Sequence, residues 1–88
     1  MNLSLHDLHV LLVEPSHMQA QLIERMLAQL GVTRVARRDT GGAALAYMRE
    51  VRPSVVISSL YLPDLPGTEL VQQMRADAEL ESLPFVLI

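Results

Sequence analysis

The chain has 88 residues, half of them hydrophobic, with seven arginines, no lysine, ten acidic residues and a formal net charge of -3. That is material for one packed domain and leaves no room for a second. A chain of this balance carries no basic stripe for nucleic acid. Without cysteine it has neither a disulfide framework nor a thiolate metal site, which fits a reducing cytoplasm.

The opening MNLSLHDLHVLLV lacks a basic leader and sets His6, Asp7 and His9 inside its apolar stretch, so it reads poorly as a signal peptide. No run approaches the length that crosses a bilayer, and a soluble chain with no membrane contact is expected. His9 to Val13 is a near-continuous apolar run ended by Glu14-Pro15, the signature of a central parallel strand feeding a loop. A helix begins at Ser16, which stands at capping-box spacing from Gln19. Met18, Leu22, Ile23, Met26, Leu27 and Leu30 recur on one face until Gly31 ends it. Val32 to Arg37 is a weaker, alternating strand of the kind found at a sheet edge, where Arg34, Arg37 and Arg38 would act as edge guards. Thr40 and Gly41-Gly42 mark the next helix start, with Ala44, Leu45, Met48 and Val51 able to face a sheet, and Pro53 stops it after Arg52.

The stretch Pro53 to Leu70, PSVVISSLYLPDLPGTEL, is the most informative. Val55, Val56 and Ile57 suit a strand covered on both faces, Pro63, Pro66 and Gly67 end it, and a third helix runs from about Gly67 to Ala76. This segment resembles the third strand and following loop of a response-regulator receiver domain, in which an apolar run is followed by Asp, three residues, Pro, two residues, Asp-Gly, one residue and Glu-Leu. Pro63, Gly67, Glu69 and Leu70 match that pattern. The phosphoacceptor position falls on Ser59, and the loop aspartate before glycine falls on Pro66. The polar link Asp77 to Ser82 leads through Leu83-Pro84 into Phe85-Val86-Leu87-Ile88, a further buried strand by composition that would become an exposed apolar edge without elements to follow it. Strands alternating with helices imply a flavodoxin-like, doubly wound α/β fold with a parallel sheet. The resemblance implies that residues 1–88 hold the N-terminal part of a receiver fold, whose later elements would follow the fourth strand.

Receiver phosphotransfer needs a carboxylate nucleophile after the third strand and acidic residues after the first to hold Mg²⁺. Laid on the resemblance, the acidic pair falls on Glu14 and Pro15, so one acid is kept in lengthened form and the other is lost. A serine hydroxyl is a weak nucleophile without an adjacent base, and the simpler reading of Ser59, as of Ser58, is a small polar residue closing a strand. Glu14 is a weak metal candidate, because a carboxylate near a helix N-terminus is favoured by the helix dipole with or without an ion. Asp64, between Pro63 and Leu65, reads as a turn residue. Tyr61 falls where the family offers a backbone carbonyl to the metal. His6, His9 and His17 read as scattered histidines, and Met18, Met26, Met48 and Met74 as core filling.

The expectation is a non-enzymatic pseudo-receiver in two-component or phosphorelay signalling. It would be cytoplasmic, would bind neither Mg²⁺ nor another cofactor, and would act through protein partners: a histidine kinase, an output domain or a second copy. One alternative is a receiver that accepts phosphate on a non-standard residue. A less favoured one is a flavodoxin-like cofactor-binding protein, disfavoured because Glu14-Pro15-Ser16-His17 has no glycine and few free N–H groups to cradle a phosphate.

Overall fold

Three short apolar segments and one arginine-rich edge segment, separated by three helices, fold as a parallel sheet with crossover connections. The computed structural model describes residues 5–88. Met1 to Ser4, the start of the segment that reads poorly as a signal peptide, lie outside the described residues. A 3-10 turn at Leu5–Asp7 precedes β1 (His9–Val13), α1 (His17–Gln29), β2 (Arg34–Arg38), α2 (Gly41–Val51), β3 (Val55–Ser58), α3 (Gly67–Ala76) and β4 (Phe85–Leu87). All strand pairings are parallel, in the order β2-β1-β3-β4. Val13 is level with Arg38 on one side and Ser58 on the other, and Ser58 is level with Leu87. No helix among the described residues is long and apolar enough to cross a membrane.

Alternation along the strands divides the apolar residues between two faces. Leu11, Val13 and Val56 join Ala44, Leu45 and Met48 of α2, Leu70 and Met74 of α3, and Leu80 and Leu83 of the following link in one buried cluster. Leu80 is a core residue inside a segment whose composition reads as a polar link. Val10 and Leu12, also buried, belong by alternation to the opposite face, where the right-handed β1-α1-β2 crossover sets α1.

Helix α1 departs from its expected packing. Its apolar stripe is present, yet Met18 is 74%, Leu22 48% and Met26 64% exposed, and Ala20 is the residue of the helix that is buried. Of the methionines read as core filling, Met48 and Met74 fill the core, whereas Met18 and Met26 lie on the surface. A helical period shows that a face is apolar; what covers that face is decided elsewhere in the fold.

The second strand also begins later than its sequence suggests. Gly31 takes a φ of 91° and donates to the Ala28 carbonyl, while the Val32 N–H donates to Leu27, the paired bonds of a Schellman motif. Val32 therefore closes α1 and buries its side chain there. At the end of α2 the left-handed position, usually glycine, is held by Arg52 at φ 59°. Its guanidinium donates to the Glu79 carbonyl at 2.6 Å. Arg75 reaches the Glu81 and Leu83 carbonyls, and Arg49 pairs with Asp77 at 3.0 Å, so three arginines fasten the link between α3 and β4.

Candidate functional site

The order β2-β1-β3-β4 reverses its direction of winding between β1 and β3, so a crevice opens at the carboxyl ends of these two strands. In an open α/β sheet that is where function concentrates. Hydrogen bonding runs one residue past the strands here. Glu14 N–H donates to the Arg38 carbonyl, Ser59 N–H to Val13, and Leu60 N–H to Ile88. Glu14 and Ser59 are thereby set on neighbouring strand ends, as the resemblance requires of the pocket acid and the phosphoacceptor position.

Glu14 is only 6% exposed. Its Oε2 accepts the Ser16 N–H at 2.9 Å, and Ser16 in turn caps α1 by accepting the Gln19 N–H at 3.2 Å. The carboxylate is thus committed to the entry of the helix. Pro15 presents no ligand atom in its side chain, and its carbonyl accepts from Arg37 at 3.0 Å. The Arg37 Nε also donates to the Glu14 carbonyl at 3.0 Å. This clamp on the loop after β1 is a departure from the edge-guard expectation, and nothing local in sequence announces it, because the partners are 22 and 23 residues apart.

On the β3 side, Ser58 is fully buried and its hydroxyl donates to the Ser59 carbonyl at 2.9 Å. Ser59 itself is half-buried. The loop beyond is closed on itself. Gly67 N–H donates to the Leu60 carbonyl at 2.7 Å, and Tyr61 bridges to Pro66 in antiparallel fashion while its side chain stays 78% exposed. Pro66 occupies the N-cap of α3 with no side-chain acceptor to offer, the place an aspartate would fill in the family pattern. Pro63 is exposed. Asp64 does not join the crevice and instead reaches Gly41 and Gly42 of α2.

The remaining candidates disperse. Tyr47 and the His9 Nε2 are 2.6 Å apart, their rings edge to face, with the Arg38 guanidinium 4.6 Å above the tyrosine ring. Burial first, and Arg34 second, hold the His9 imidazole below its ordinary pKa. His17 pairs with Gln21 within α1. No three carboxylate or imidazole side chains converge as metal ligands among the described residues.

Residues 10–88 match the family model described as the response regulator receiver domain. Protein PilH of Pseudomonas aeruginosa is 28% identical over 79 residues, a match covering 90% of this chain and 64% of PilH. The probable methanogenesis regulatory protein FilR2 of Methanothrix harundinacea is 34% identical over 86 residues, covering 90% of this chain and 56% of FilR2. The crystal structure of the phosphorylated cyanobacterial phytochrome response regulator RcpA is similar with a TM-score of 0.81 at 29% identity, covering 90% of this chain and 62% of that one. The chain spans less than two thirds of the length of each of these three. A family model matched from Val10 to Ile88, over a four-stranded parallel sheet with its crevice between β1 and β3, makes this chain a member of the response-regulator receiver family.

Proposed function

We propose that this chain is a pseudo-receiver: a signalling module that works by protein contact and takes up no phosphoryl group at the family position. Receivers as a class serve signalling with histidine kinases and output domains, and this one keeps their scaffold. The observation that carries the reading is the donor set of the crevice, with a serine hydroxyl at residue 59, a proline at 15, and a Glu14 carboxylate already bonded to the Ser16 amide. Mg²⁺ demands near-ideal octahedral oxygen coordination, usually including carboxylates. One committed carboxylate and a neutral hydroxyl on the neighbouring strand end make a set that does not fit the ion.

No observation favours a displaced acceptor. Both Asp64 oxygens are occupied by backbone amides and Glu14 is buried. A nucleotide or flavin phosphate also lacks a cradle, because the Glu14 and Ser16 N–H groups are already donated and Pro15 has none. The partner side of the reading rests on the apolar stripe of Met18, Leu22, Met26 and Leu30, an exposed face of the sort that marks protein contact. A cytoplasmic partner, whether a kinase, an output domain or a second copy, suits it.

The test is incubation with acetyl phosphate and Mg²⁺ followed by intact mass. The expected result is an unchanged mass. An adduct lost on Ser59→Ala would overturn the proposal, and so would a base-sensitive adduct that survives Ser59→Ala and disappears when Asp64 or Glu14 is replaced.

A further inference from the structure

Asp64 ties together two loops that the sheet alone leaves separate. Its Oδ1 and Oδ2 accept the N–H groups of Gly41 and Gly42, each at 2.9 Å. Thr40 takes the next amide, that of Ala43, at 3.1 Å. The first three amides of α2 are therefore all satisfied by side chains, two of them from a carboxylate on the loop after β3. Leu65 seats beside it: a Cβ built on Gly41 would lie 2.7 Å from the Leu65 Cδ2, so the leucine side chain packs directly over the start of α2. The loop is closed at its base by the Gly67 N–H to the Leu60 carbonyl and by the Tyr61–Pro66 bridge, immediately beyond Ser59. Those same two amides, first Gly41 and then Gly42, hold the Asp64 carboxyl below the ordinary carboxylate range.

We infer that Asp64 is a latch, a positioning residue that fixes the β3–α3 loop against the first turn of α2 and so couples the loop that follows Ser59 to that helix from within the protein. Two charge-assisted hydrogen bonds at the positive end of a helix are among the stronger contacts an exposed carboxylate makes. Because the loop is closed on itself, a movement of the α2 entry is passed to residues 59–61, and the crevice and α2 behave as one mechanical unit. This coupling stands independently of whether residue 59 accepts phosphate.

The experiment is amide hydrogen exchange and backbone NMR on the full chain with Asp64→Ala and Asp64→Asn. Loss of charge-assisted bonds of this kind is expected to speed exchange at Gly41 and Gly42 by roughly tenfold or more in the alanine variant. The asparagine variant, which keeps one acceptor oxygen, should fall in between. Amide shifts at Ser59, Leu60 and Tyr61 should move as well. In the unaltered chain, scalar couplings through the hydrogen bonds should connect the Gly41 and Gly42 nitrogens to the Asp64 carboxyl carbon, and if Asp64→Ala fails to fold the response of residues 59–61 is read from Asp64→Asn. Absent couplings, unchanged exchange at Gly41 and Gly42, or changes that stop there and leave residues 59–61 unmoved would overturn the latch.

Discussion

Replacing Gly67 by alanine is expected to destabilise the domain by about 1–3 kcal/mol, the usual cost of forcing a methyl into a packed site, and to shift the crevice with it. The reason is steric. A Cβ at this position would stand 2.5 Å from the Ser59 carbonyl oxygen and 2.7 Å from the Leu87 Cδ1. The leucine can rotate away, but the carbonyl belongs to backbone pinned by the Ser59 N–H to Val13 and the Leu60 N–H to Ile88. Relief therefore requires the end of β3 to move or α3 to lift. Urea denaturation should show a lowered midpoint, and the amide shifts of Ser59 and Leu60 should change more than those at the opposite end of the sheet, at His9 or Ser54. A variant with wild-type stability and an unmoved Ser59 would contradict this account of why glycine stands there.

The larger loss is expected from Leu70→Ala, at about 2–5 kcal/mol for truncating a fully buried leucine. Helix α3 is largely polar and buries Gly67, Leu70 and Met74 against the sheet and α2, so its docking depends on two large side chains. Set against a total on the order of 0.05–0.15 kcal/mol per residue, such a loss removes much of the domain's stability. Leu22→Ala is the contrasting case. Leu22 is as large and as apolar, but it lies on the exposed face of α1, and its removal should fall within about 0.5 kcal/mol. Denaturant midpoints at constant m-value separate the two. Equal losses would mean that α1 packs in solution as tightly as α3.

That contrast also marks what could be read before the structure. β1 and β3 were legible because continuous β-branched and leucine-rich runs ended at Pro15 and at the breakers Pro63, Pro66 and Gly67, and α3 because a helical period resumed after Gly67. The position of Ser59 and Glu14 on adjacent strand ends followed from the resemblance and the parallel register. The exposure of the apolar stripe of α1 was not legible: Met18, Leu22 and Met26 have a core-like period whichever way they face. Nor were the long-range tethers. Arg37 looks like any arginine on an edge strand until its two carbonyl partners are placed, and Asp64 looks like any turn aspartate until α2 is folded beside it. Val32 illustrates a subtler case, since its strand-like side chain is taken by the Schellman closure of α1 before β2 can use it.

On the reading proposed above, the receiver scaffold stands here without a pocket able to hold Mg²⁺ and a phosphoryl group. The decisive experiment titrates the chain with Mg²⁺ and then with beryllofluoride as a phosphoryl mimic, following the backbone amides of Glu14, Ser16, Ser59, Leu60 and Tyr61. The expected result is no saturable shift at these positions with either addition. Saturable shifts that converge on residues 14–16 and 59–61 with one ion per chain, and grow on adding the mimic, would contradict it.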